Sequence, residues 1–381
     1  MRVIFDARHL QTVSRTRGIG RYSRNLLAAF TRRAAADVEW TLLRLKTFPP
    51  PDDTPLPPHR DLRVVRPRRP ELAMLALDAL ALPLEIGWRS ADVYHSVQLG
   101  LPVARRMPAV VTVHDLAPLR WPDAYLRLPH SRIGHMWQYA LAQGADAVIA
   151  PSQATARDVI DRLRVPARRV HVIPEAVDAD FAPPPRAEGQ RLARERYGVP
   201  SRYVLYVGQF DPRKNMNGLL RAFALAAADD PELRLIIVGD LGKLAAHLRD
   251  ALSRTAAPRG QVIVTGFVDD ATLASLYSGA ECLLHAALLE GFGLTPLEAL
   301  AAGTPVVGYR AGAVEEVVGA AGVLVDPDDP DDPDALGDAL RAFLASPSIA
   351  DDLRARTRAR AAMFSWAEAA DRTLEVYRSL A

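Results

Sequence analysis

From Arg2 to Val325, short runs rich in Val, Ile and Leu alternate with longer stretches of helical periodicity. A strand, a crossover helix and a second strand return the chain parallel to itself, so this alternation calls for parallel sheets covered by helices. The pattern predicts strands at 2–5, 40–45, 92–95, 109–113, 147–150 and 170–173. A second series falls at 203–207, 233–238, 261–265, 282–285, 305–308 and 322–325. Between the two series, the proline-rich DFAPPPRAEG at residues 180–189 reads as a linker. The 381 residues suffice to bury two cores. The expected fold class is therefore α/β, with two doubly wound Rossmann-like domains facing a cleft and ligands at the carboxyl ends of the strands.

Composition excludes several classes. A single cysteine, Cys282, rules out an internal disulfide framework and fits a reducing compartment. Met1–Phe5 already reads as a buried strand, so a cleaved leader is not expected, and no apolar run reaches the roughly 18 residues of a membrane span. A cytoplasmic location follows. The net charge of +2 gives no reason to expect a nucleic-acid partner. Charge is uneven, however: residues 1–180 are basic in balance and the remainder acidic. Arginines at 60–69 precede an apolar stretch, and residues 60–89 read either as a solvated basic loop with a core helix or as a peripheral membrane contact. The acidic, proline-spaced DPDDPDDPDALGDAL reads as a solvated loop running into a helix. The amphipathic tail FSWAEAADRTLEVYRSLA reads as a packed helix.

Chemistry concentrates in four stretches. In LLEGFGLTPLEALAAGTPVV, Thr295, Pro296 and Glu298 have the form of a capping box, with Thr at the N-cap. That reading explains Glu298 but not Glu290, Gly291 or Gly293. Paired glycines at a helix entrance admit a ligand to the backbone, and two carboxylates there suit the hydroxyls of a sugar or ribose. In VGQFDPRKN a buried strand ends at Gly208, followed by Arg213 and Lys214, which form either an exposed basic turn or a diphosphate clamp. In VTVHDL, His114 emerges from the carboxyl end of a strand. In RGIGRY, Gly18, Ile19 and Gly20 open a helix between arginines, as a phosphate site would, although the third glycine of a dinucleotide fingerprint is absent. Asp178-Ala179-Asp180 lies in the hinge and reads as structural, so no metal site is expected.

In order and spacing, RGIGRY, VTVHDL, VGQFDPRKN and EGFGLTPLEALAAGTPVV resemble the retaining family 4 glycosyltransferases (glycosyl transferases group 1) of the GT-B fold, and VTVHDL with RKN resembles their bacterial mannosyltransferase-like subgroup. The resemblance covers nearly the whole chain. It implies an acceptor-binding domain over 1–185, a nucleotide-sugar domain over 186–364, and a helix over 365–381 that crosses back to the first domain. It also implies site residues. Arg213 and Lys214 would bind the donor diphosphate, Glu298 the ribose, and Phe267 and Val268 the base. Glu290 and the backbone of Gly291, Phe292, Gly293 and Leu294 would hold the donor sugar and phosphate, Gly18–Gly20 would close over the phosphates, and His114 would lie beside the transferred sugar. Three positions depart from the family pattern: Gln209 where an arginine is common, His285-Ala286 where Pro-Ser is usual, and Glu175-Ala176 where Asn-Gly is usual.

The expected activity is metal-independent transfer of a hexose, with GDP-mannose as the expected donor, to a glycan, lipid-linked or small-molecule acceptor with retained configuration. Polysaccharide or glycolipid biosynthesis would be its setting. No cofactor is expected beyond the nucleotide-sugar co-substrate. A non-hydrolysing sugar-nucleotide epimerase of the same fold, or a non-catalytic sugar-nucleotide-binding protein, is the alternative. A nicotinamide dehydrogenase would need the complete glycine fingerprint.

Overall fold

The computed structural model describes all residues except 17, 34–36, 50–53, 67–77, 79, 88–90, 201, 210, 240–247, 249, 254, 256–257 and 328–333. The chain divides into two compact units. One comprises Met1–Glu175 together with Ser365–Ala381, and the other Ala176–Phe364.

The first unit is built on a seven-stranded parallel sheet: β1 (Arg2–Asp6), β2 (Glu39–Leu45), β3 (His59–Val64), β4 (Val93–Ser96), β5 (Ala109–Thr112), β6 (Ala147–Ala150) and β7 (Val170–Val172). Their order across the sheet is β3-β2-β1-β4-β5-β6-β7. Chain order reverses beside β1, with β2 on one side and β4 on the other, which makes the carboxyl end of β1 the switch point where doubly wound sheets bind ligands. The sequence pattern missed β3. Its HRDLRV alternates charged residues with buried Leu62 and Val64, as an edge strand with one wet face does.

The second unit carries a six-stranded parallel sheet: β8 (Tyr203–Val207), β9 (Arg234–Val238), β10 (Val262–Gly266), β11 (Leu283–His285), β12 (Val306–Tyr309) and β13 (Gly322–Val325), in the order β10-β9-β8-β11-β12-β13. Strand β8 shows why such runs lack polar alternation. Val204 and Tyr206 pack into one core and Tyr203 and Leu205 into another, one on each face. The linker expectation needs adjusting. Helix Arg186–Tyr197 starts inside DFAPPPRAEG, because Pro185 at its N-cap has a φ of −54° that leads directly into a helix.

Helix Trp366–Leu380 belongs to the first unit. Ser365 caps it by accepting from the Ala367 N–H. Trp366 packs edge-on against Tyr22, and Tyr377 meets Phe30, Trp40 and His95 in the core, with its hydroxyl bonded to His95 Nδ1.

Candidate functional site

Adjacent strands β8 and β11 send their carboxyl-end loops side by side. After Gly208, Asp211 accepts from the Arg213 N–H and caps the start of a short turn over Pro212–Lys214, and Asn215, at φ +49°, caps the next helix, Met216–Ala227. The two loops are then stitched together. The Leu288 N–H donates to the Arg213 carbonyl at 2.7 Å, and Arg213 Nη1 donates to the Leu289 carbonyl at 3.1 Å. Residues distant in sequence thereby converge on one carboxylate. Arg213 Nη1 lies 3.0 Å from Glu290 Oε2, Lys214 Nζ donates to Oε1, and His285 Nε2 sits 3.2 Å from Oε1.

Glu290 is 6% exposed and His285 2%. Burial disfavours both charged forms. For Glu290 the neighbouring Lys214, His285 and Arg213 outweigh that penalty and hold the carboxyl well below its ordinary range. For His285 burial prevails over the pull of Glu290 and pushes the imidazole down. Two glycines make the arrangement possible. Gly308 faces His285 across the β11–β12 ladder, and a Cβ there would lie 2.6 Å from the His285 carbonyl oxygen. Gly312, at φ +59°, lies so close that a Cβ would fall 2.3 Å from the Glu290 carbonyl oxygen, which accepts from the Ala313 N–H.

Glu298 overturns the capping-box expectation. Helix Leu294–Ala301 starts one residue before Thr295, with Gly293 at its N-cap and no side-chain cap. Gly293 takes φ +103°, which only glycine adopts readily, so Thr295 already lies within the first turn. Pro296 sits where its missing N–H costs nothing, because the first turn has no acceptors for those groups. Glu298, 1% exposed, turns inward and accepts from the Tyr277 hydroxyl at 2.8 Å. The remaining expected donor residues scatter by role. Phe267 is 82% exposed and Val268 is buried, while Phe292 is buried and stands edge-on to Phe364 at 5.7 Å. Gly208 lies against the Tyr206 hydroxyl, and Gly291 sits in the loop beside Glu290.

Gly18, Ile19, Gly20 and His114 lie in the first unit. Gly18–Gly20 form the first turn of helix Gly18–Arg32 rather than a separate loop, and a Cβ on Gly20 would overlap the Ser14 carbonyl oxygen at 2.3 Å. His114 follows β5, half-buried. Its Nε2 faces the Val97 carbonyl and its Nδ1 the Glu175 carboxylate, each at 3.2 Å, and the Tyr22 ring stands edge-on at 4.9 Å. Sequence reasoning missed Glu175 as a partner of His114. Its only signal was the departure from Asn-Gly. Nearby, His9 Nε2 bonds Ser23 Oγ at 2.6 Å, and Arg8 pairs with Asp6 at the end of β1. Much of the arginine-rich 60–89 segment lies outside the described residues. Among those described, Arg66 is buried and paired with Asp78 and Glu85, so it is no part of a solvated basic loop. Asp178 and Asp180 open the second unit.

Comparison with known proteins assigns these features to a family. The profile described as Glycosyltransferase Family 4 matches residues 16–181, and that described as Glycosyl transferases group 1 matches residues 192–362. The O-antigen chain mannosyltransferase B of Escherichia coli is 30% identical over 306 residues, which cover 78% of each chain. The chain belongs to glycosyltransferase family 4, group 1. Within that family it also resembles the serotype-specific mannosyltransferase WbdA of Escherichia coli, at 30% identity over 276 residues. That match takes in 71% of this chain and 33% of the relative, so the family 4 chain spans about a third of that protein. Among solved structures, the sucrose-phosphate synthase of Thermosynechococcus elongatus superposes with a TM-score of 0.77 at 24% identity, covering 100% of this chain and 99% of that one. The fold is GT-B.

Proposed function

We propose that this family 4 chain is a retaining hexosyltransferase, moving mannose from GDP-mannose to an acceptor hydroxyl in polysaccharide or glycolipid assembly. The observation that carries the reading is the convergence of Arg213, Lys214 and Glu290 at the carboxyl ends of β8 and β11, inside the segment matched by the group 1 profile. The choice of mannose rests on the relatives named as mannosyltransferases.

As the glycosidic bond breaks, negative charge grows on the departing diphosphate. Cations fixed beforehand stabilise that charge without having to reorganise. Arg213 would grip two phosphate oxygens with its planar fork and Lys214 would act as a point charge, which makes a divalent metal unnecessary. Glu290 would accept from hydroxyls of the hexose, Glu298 from the ribose, and Phe267 and Val268 would meet the base. Retention lets the acceptor hydroxyl attack on the face the diphosphate leaves, so its proton can pass to the leaving phosphate. His114 then serves to orient the sugar rather than act as an opposite-face base.

Thermal shift against UDP, GDP, dTDP and ADP tests the donor. A ligand at 100 times its dissociation constant adds about 2.7 kcal/mol, and GDP alone is expected to give that shift. Stabilisation by none of the four removes the donor site from the reading. Nuclear magnetic resonance of the product then reports the anomeric configuration.

A further inference from the structure

Arg213 and Lys214 are not poised as two open cations. Both bond the same carboxylate, which is buried and also touches His285. A diphosphate brings at least two negative charges to the same two side chains. If Glu290 kept its bonds, a third anion would sit against the phosphates in a region of low dielectric, where like charges repel strongly. The cations must therefore exchange partners. The backbone of Glu290 cannot take part, because Gly312 and the Ala313 N–H pin it. Only the side chain is able to turn.

We propose that Glu290 is a place-holder for the donor diphosphate: its carboxylate occupies Arg213 and Lys214 until phosphate oxygens displace it, and His285 then keeps the released carboxylate aimed at the sugar. The inference rests on the donor-site reading above and deepens it. His285 suits the second task because it is not on a loop. It closes β11, in register with Gly308, and the absence of a side chain at Gly308 leaves its room. It is a neutral partner held down by burial, so it does not compete for the phosphates as a third cation would. The histidine also stands at one of the chain's departures from the family pattern. Glu290 would thus have two sequential partners: the cations before the donor arrives, and the sugar hydroxyls after.

Calorimetry with inorganic pyrophosphate, GDP and GDP-mannose tests the exchange. Glu290→Gln removes the competing charge, so it is expected to bind pyrophosphate and GDP about tenfold tighter or more than wild type, the scale of a charge-assisted hydrogen bond. The same variant is expected to lose the extra affinity that the mannose confers, and to fall in kcat. His285→Ala is expected to leave pyrophosphate affinity within about twofold while lowering kcat, and His285→Asn, which restores an N–H, to recover part of that loss. Weaker or unchanged pyrophosphate binding by folded Glu290→Gln overturns the proposal. Where that variant loses its fold, Glu290→Asp carries the same test, because its shorter carboxylate retreats from both cations. The reading of the site fails separately: if Arg213→Ala and Lys214→Ala bind GDP like wild type, these residues are not the diphosphate clamp at all.

Discussion

The Tyr277 hydroxyl donates to Glu298 Oε2 at 2.8 Å, joining helix Asp270–Gly279 to helix Leu294–Ala301 deep in the second unit. A residue whose spacing reads as a helix cap is instead a bonded carboxylate in the core. Tyr277→Phe keeps the ring and removes one donor from a buried anion. It is expected to destabilise the protein by about 1–3 kcal/mol, read as a lower urea midpoint. An unchanged midpoint would mean that the bond contributes nothing.

Gly312→Ala combines a left-handed backbone with an overlap on the Glu290 carbonyl. The backbone term alone costs about 1–2 kcal/mol. The variant is expected to lose glycosyl transfer at temperatures where circular dichroism still shows it folded, because relief of the overlap displaces Glu290. Full activity in the variant would show that the loop tolerates the shift.

Acid should weaken the first unit early. Burial pushes His9 down to about 4 and His95 to about 3, from an ordinary value of 6.5. As pH falls below 6.5 the unfolded chain takes up protons that the folded chain refuses, so stability declines until pH reaches the folded values. The slope is up to about 1.4 kcal/mol per pH unit for each histidine. His95→Gln does not titrate and is expected to show a shallower fall in melting temperature between pH 6 and pH 5. Parallel profiles would contradict this.

If, as proposed, Arg213 and Lys214 offset the negative charge growing on the leaving group, turnover of the correct donor is expected to persist in excess EDTA. Loss of activity that Mg²⁺ or Mn²⁺ restores would instead direct attention to Asp178 and Asp180.

The class of acceptor is tested through the surface near β3. Val65 and Leu84 are exposed, and Leu84 is 67% so. If this surface meets a membrane, sedimentation with liposomes is expected to require anionic lipid and to weaken with salt. Equal binding to neutral and anionic vesicles, or none, would argue for an acceptor in solution.

The buried strands were legible because a strand covered on both faces must be apolar along its length, as Tyr203–Val207 is. Edge strand β3 was not, because its charged residues face water and mimic a loop. The candidate residues were legible for a similar reason: glycines and paired charges at strand ends have few structural uses. Their partnerships were hidden. Nothing in the spacing shows that Glu290 faces Lys214, or that Tyr277 reaches Glu298, since both bonds join segments through loop packing and helix docking. Gly293 explains the misread cap, because its positive φ starts the helix before the threonine that resembles its boundary.

Helix Trp366–Leu380 closes the core around Tyr22, Phe30, Trp40 and His95, yet the ribosome makes it only after all of residues 176–364. During synthesis the first unit therefore waits, with that aromatic face uncovered, while the second is translated and can fold. The two units cannot be completed in the order in which they are begun. A nascent chain halted within the second unit carries that aromatic face uncovered, and Ser365–Ala381 conceals it once synthesised.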